Sequence, residues 1–143
     1  MNISGTISGS HVMITGGSGL VGRYLTSALL SEGCRVSHLS RQENQFGKVR
    51  VYRWNPGLGF LDAESLSGVD YIVHLSGANI GEKRWSENRK REIISSRVDT
   101  ANLLFKTVSE NNIRLKAFIS ASAIGYYGLK SSEHIYTEAD PPG

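Results

Sequence analysis

The stretch Thr15-Gly16-Gly17-Ser18-Gly19-Leu20-Val21-Gly22 decides how this chain is read. It carries glycines at two interleaved spacings, Gly16/Gly19/Gly22 and Gly17/Gly19/Gly22. Upstream, His11 to Thr15 is a short apolar run of strand length. Downstream, Leu20, Tyr24, Leu25, Ala28 and Leu29 recur at helical spacing until Gly33, which suits a left-handed helix stop. A glycine turn between a strand and a helix has a physical use: the N–H groups at the helix start face an anion with no Cβ in the way. In this context the motif points to the pyrophosphate of a dinucleotide. Gly16 permits the tight turn, Gly19 the approach of phosphate and Gly22 the close packing of the helix. Gly17, Ser18, Leu20 and Val21 complete the candidate phosphate loop.

Outward from the loop, strands and helices alternate. Arg35 to Ser40 reads as a second strand and Val49 to Trp54 as a third, closed by the turn residues Asn55-Pro56-Gly57 and Gly59. A short helical turn over Asp62 to Leu66 leads to a strand at Tyr71 to Leu75, which again ends at a glycine turn, Ser76-Gly77-Ala78. Ser86 to Asn111 is the longest helical pattern, with Ser86 as N-cap and Ile93, Ile94, Val98, Ala101, Leu104 and Val108 on its apolar side. Lys116 to Ala121 is a fifth strand. This alternation predicts one α/β domain over residues 1–143: a Rossmann-like, doubly wound parallel sheet of about five strands with helices on both faces.

Composition narrows the function classes. Hydrophobic residues at 39% and charged residues at 20% suit a folded core and argue against a disordered chain. No run approaches the 18 or so apolar residues of a membrane span, and the start lacks the basic-then-apolar pattern of a signal peptide, so the expected address is cytoplasmic with no membrane partner. Cys34 stands alone, without ligand spacing to His or Cys, and we read it as a small apolar residue at an element end rather than a metal site. The net charge of +3 comes from residues 82–97, where six Lys/Arg are interleaved with Glu82, Glu87 and Glu92. A solvated helix face accounts for most of these charges, and no nucleic-acid motif accompanies them.

Cofactor choice turns on the end of the second strand. A carboxylate there, about 20 residues after the glycines, would bind the ribose hydroxyls of NAD. This chain has Ser40 and Arg41, with no carboxylate before Glu43. Arg41 suits the 2′-phosphate of NADP through fork-like, charge-assisted hydrogen bonds, so NADP is favoured over NAD.

Together, TGGSGLVG, HLSGANIG, RWSENRKREIISSRVDTANLL, FISASAIGYYG and TEADPPG resemble the atypical extended short-chain dehydrogenase/reductases described as nucleoside-diphosphate-sugar epimerases, the YfcH-like group, over nearly the whole chain. The resemblance implies an NADP-binding Rossmann domain, with a substrate part for a sugar nucleotide or other small molecule further along the chain. It implies that Ser40 and Arg41 hold the adenosine phosphate and that Leu75, Ser76, Gly77 and Ala78 line the adenine and ribose side. Glu92 and Arg97 are implied as cofactor neighbours, although Arg97 also reads as one more surface charge. Ser122 matches the Ser or Thr that hydrogen-bonds a substrate oxygen in related enzymes, with Ser120 an equally polar neighbour.

Short-chain enzymes use a Tyr as acid/base, with its pKa lowered by a Lys one helical turn later. Tyr126 and Lys130 fit that spacing, but Gly128 between them opposes a helix, and we read Tyr126 and Tyr127 as a turn. The expected Tyr/Lys helix lies beyond Gly143, so the chain reads as the N-terminal half of a longer protein, inactive alone, with an open fifth-strand edge that favours self-association. An alternative reading is a non-catalytic module that senses NADPH, and a third is a purely structural glycine turn. His38, His74 and His134 read as structural imidazoles, two of them packed within strands.

Overall fold

The computed structural model describes residues 7–42, 47, 49–122, 124–128 and 133–143. Lys130 of the Tyr/Lys spacing and Glu43 lie outside the described residues. Among the described residues six strands form one sheet in the order β4-β3-β2-β1-β5-β6. They are β1 (His11–Thr15), β2 (Arg35–Ser40), β3 (Arg50–Asn55), β4 (Phe60–Leu61), β5 (Tyr71–His74) and β6 (Ala117–Ser120). Two helices accompany them, α1 (Leu20–Ser31) and α2 (Glu87–Glu110). All pairings are parallel except that of β4 with β3.

Five strands fall where sequence periodicity places them, with ends shifted by a residue or so. The sixth, β4, carries only two residues and so leaves no periodic trace. It forms because the Asn55 side chain accepts a hydrogen bond from Leu58 N at 3.3 Å and Gly59 turns the chain back at φ +63°. The helix stop at Gly33 is left-handed, with φ +78°.

Strand β1 is apolar at consecutive positions because both its faces are covered. On one face Val12, Ile14, Val36 and Val73 pack with Leu25 and Leu29 of α1. On the other, Met13, Leu39 and Ile72 pack with Trp54, Leu66, Val69 and Leu104 of α2. Each side chain buried in these two layers is worth about 1.5–3 kcal/mol. Cys34 is buried in the first layer and its thiol donates to the Ile7 carbonyl, so it behaves as a small core residue.

At the opposite end of the strands from the glycine loop, Asp70 aligns β1, β5 and β6. Its carboxylate accepts from His11 N at 2.8 Å and from Lys116 Nζ at 2.9 Å. The His11 N–H, then the Lys116 ammonium, hold the Asp70 carboxyl below the usual carboxylate range. The chain runs outward from β1 through β2 and β3, then returns to place β5 on the other side of β1. That reversal is a topological switch point, where the ends of adjacent strands leave a crevice.

Candidate functional site

The register brings the C-terminal ends of β1, β2 and β5 level, with Thr15 opposite both Leu39 and His74. The glycine turn leaves β1 here and meets the loop that leaves β5. Gly16 has φ +70°, and a Cβ there would stand 3.0 Å from the Leu75 carbonyl and the Ser76 nitrogen. Only glycine meets both demands without strain. Gly22, in the first turn of α1, lies so close that a Cβ would overlap the Gly16 carbonyl oxygen. These two positions press the start of α1 onto the end of β1.

Gly19 is the N-cap of α1, with no side-chain cap and no acidic residue in the first turn. The first-turn N–H groups therefore point outward with their partial positive charge unmatched by any capping side chain among the described residues. By contrast α2 is capped by Ser86, whose hydroxyl accepts from Arg89 N at 3.2 Å.

Between these elements lies a cleft of about 870 Å³, a volume within the range of small-molecule and cofactor sites. Its floor is Gly16, Gly17, Ser18 and Gly19. One wall is the end of β2, Ser40 and Arg41, backed by Trp54; the other is Leu75 to Asn79 with Glu92, Ser95 and Ser96 of α2. Leu20 and Val21 are exposed at the start of α1, and neither they nor Gly22 line the cleft. Thr15 Oγ1 ties the two loops together, accepting from the N–H groups of Leu75 and Ser76 at 3.2 Å each. The Ser76 to Ala78 segment is in turn held to α2: Ala78 N donates to Ser96 Oγ at 2.9 Å, and Arg97 donates to the Ala78 carbonyl at 3.2 Å.

An adjoining cavity of about 350 Å³ opens over the ends of β5 and β6. Ser120, Ser122 and Arg97 line it with His74 to Gly77. The structure thus brings the predicted residues other than Leu20, Val21 and Gly22 into two adjoining spaces, with Arg97, Ser120 and Ser122 in the smaller one. Tyr126 and Tyr127 sit in a single turn of 3-10 helix ended by Gly128 at φ +90°, not in a long helix.

Several site residues were not singled out from the sequence. Thr15 looked like the last residue of a strand, and its role as acceptor for two distant N–H groups is set by tertiary packing. His38 was read as a packed imidazole; it is buried beneath Gly17, bonded to Thr26 Oγ1 at 2.9 Å, and also lines the cleft floor. Arg89 looked like one of many solvated charges, yet it is 5% exposed and its Nη1 donates to Glu92 at 2.7 Å. The spacing of three residues between Arg89 and Glu92 was the available signal. The Arg89 hydrogen bond holds the Glu92 carboxyl below its usual range, with smaller help from the charges of Lys83 and Arg41. Among the described residues no helix is long and apolar enough to cross a membrane, and no metal-ligand cluster occurs.

Comparison with known proteins agrees with this architecture. Residues 12–143 match the model of the NAD dependent epimerase/dehydratase family. The epimerase family protein ML0860 of Mycobacterium leprae is 34% identical over 132 residues, covering 92% of this chain and 41% of that protein. Among solved structures, the human epimerase family protein SDR39U1 (isoform 2) with NADPH superposes with a TM-score of 0.75 at 28% identity, over 92% of this chain and 42% of that one. The nucleoside-diphosphate sugar epimerase from Corynebacterium glutamicum gives a TM-score of 0.74 at 34% identity, over 95% of this chain and 27% of that one. The chain spans about two fifths of the length of the curated relatives it matches. By this match and by its glycine turn at the switch point of a parallel sheet, the chain belongs to the NAD-dependent epimerase/dehydratase family.

Proposed function

We propose that this chain is the NADP-binding part of a nucleoside-diphosphate-sugar epimerase or a related short-chain oxidoreductase, acting in the cytoplasm. The observation that carries the reading is the uncapped N-terminus of α1, free of acidic residues, over a glycine floor at the switch point. An anionic pyrophosphate fits this cradle, which Cβ atoms at Gly16 and Gly22 would distort.

In this reading the N–H groups of the first turn of α1 bind the pyrophosphate, and Leu75 to Ala78 line the adenosine. Ser40 and Arg41 take the 2′-phosphate. Ser40, Arg41 and Gln42 offer no carboxylate to repel that phosphate, and the human relative SDR39U1 is described with NADPH. When bound, such a cofactor supplies hydride transfer. The smaller cavity receives the substrate end, where the Ser122 hydroxyl hydrogen-bonds a substrate oxygen and Arg97 holds the intervening loop in place. The chain by itself binds without turnover: Tyr126 stands in a single turn of 3-10 helix that Gly128 ends, not on a long helix.

Titration of NADPH and NADH into the purified chain, repeated with Arg41→Ala, tests this. NADPH is expected to bind at least about ten-fold tighter, with the difference collapsing in the variant, as loss of a charge-assisted phosphate contact requires. Equal affinities in the unaltered chain would remove the NADP assignment. Failure of both to bind the folded chain would remove the dinucleotide reading.

A further inference from the structure

On the cleft wall opposite Arg41, α2 buries a guanidinium whose surroundings are unusual. Arg89 is 5% exposed, and its Nη2 donates to the Asn79 carbonyl and reaches Glu82 at 3.4 Å. Its Nη1 donates to Glu92 Oε2 at 2.7 Å. Its Nε is buried with no hydrogen-bond partner among the described residues. Burying an arginine with an N–H left unpaired is costly. The contacts it does make all fix groups on one wall of the cleft.

These contacts argue against an anion site at Arg89, because two carboxylates and a carbonyl already occupy its terminal nitrogens. What the arrangement offers a ligand is Glu92. Its side chain is 55% exposed, and with Oε2 engaged by Arg89 its other oxygen is left as an acceptor. Arg41 lies near enough for its charge to act on the same carboxylate. A ligand that suits both walls carries an anionic group toward Arg41 and a hydrogen-bond donor toward Glu92. An adenosine 2′-phosphate has both, the donor being the exocyclic amine of the base.

We propose that Arg89 is a positioning residue that fixes Glu92 as the acceptor for the N6 amino group of adenine, so that the cleft selects adenine over hypoxanthine. This rests on the dinucleotide reading above. Hypoxanthine replaces the amine with a carbonyl oxygen, which a carboxylate at that place repels. A site built around a hydrogen bond rejects the analogue that lacks it, because the buried or oriented partner is left unpaired.

Calorimetric titration with NADPH and with nicotinamide hypoxanthine dinucleotide phosphate tests the assignment, each with thermal melting as a check on folding. The chain is expected to bind the adenine form about ten-fold tighter, as for a hydrogen bond to a charged group. Glu92→Gln, whose amide can accept from N6 or donate to a carbonyl, is expected to bind the two within about two-fold. Arg89→Met should move the ratio toward that of Glu92→Gln, and Arg89→Lys should restore part of the preference by keeping one cationic donor. A merely structural role for Arg89 would weaken both ligands equally and leave the ratio unchanged. Equal binding by the unaltered chain, or a preference that survives in Glu92→Gln, overturns the proposal while leaving the dinucleotide site standing. If neither dinucleotide binds, both readings fall. Glu92 is a surface side chain, so its variant answers the question even if Arg89→Met melts early.

Discussion

Thr15 Oγ1 lies 2.8 Å from His74 Nδ1, and the groups around them favour one arrangement of protons. Thr100 gives its hydroxyl proton to the Ser96 or Arg97 carbonyl, at 2.7 and 3.0 Å, so its oxygen accepts from His74 Nε2–H at 3.1 Å. Nδ1 is then bare, and Thr15 donates to it while accepting from Leu75 N and Ser76 N. A neutral imidazole thus links β1, β5 and α2 in the lining of the smaller cavity.

Protonation of His74 would remove the acceptor that Thr15 requires. Burial is the main cause that lowers its pKa below the ordinary 6.5, and burial lowers those of His38 and His11 too. For a histidine with a depressed folded-state pKa, the unfolded chain binds more protons in the window below 6.5. Stability is therefore expected to be full at neutral pH and to fall as pH drops from about 6.5 toward the folded-state values. Urea denaturation between pH 8 and pH 5 measures this, and an unchanging midpoint would count against it.

Thr15→Val removes the acceptor for the Ser76 N–H and the donor to His74 while keeping the shape of the side chain. Leaving such buried groups unpaired costs about 1–3 kcal/mol each. We expect a loss of about 2 kcal/mol in chemical denaturation, with weaker dinucleotide binding because the loop after β5 loses its tie to β1. Unchanged stability would mean that the network adds nothing.

The glycines of the turn are not equivalent. A Cβ at Gly22 would overlap backbone, whereas one at Gly19 meets only the Gly16 oxygen, at 3.3 Å. Gly22→Ala is expected to destabilise the fold by about 2–3 kcal/mol, as overpacking against atoms that cannot move does. Gly19→Ala should change stability by less than about 1 kcal/mol yet weaken NADPH binding, since in the proposed site its methyl group would stand in the path of the pyrophosphate. Paired melting and titration curves separate the two effects, and equal loss of stability in both variants would contradict the assignment.

Among the described residues strand β6 pairs with β5 alone, and Phe118 and Ile119 are 40% and 48% exposed on it. An open parallel edge with apolar side chains is a template for pairing. The purified chain is expected to self-associate with concentration, and Ile119→Lys to reduce that association. Light scattering after size-exclusion chromatography would sink the idea if it gave a monomer mass throughout.

Elements bound by local rules were legible in the sequence. Thr15 to Gly22 announced a strand, a turn and a helix because glycine spacing, apolar runs and helical periodicity act over a few residues. The strands His11–Thr15 and Arg35–Ser40, and the helix capped by Ser86, followed from the same short-range patterns, and Arg41 could be placed directly after its strand. Sheet order, and with it the cleft, is a property of pairings between distant residues, such as Val12 with Tyr71 and Tyr71 with Ala117, which no local pattern encodes. Only the tertiary structure set Thr15 under the loop after β5, slid His38 beneath Gly17 and buried Arg89 against Glu92. Charge patterning made Arg89 look solvated because sequence records that a cation is present, whereas its burial depends on which surfaces the fold brings around it.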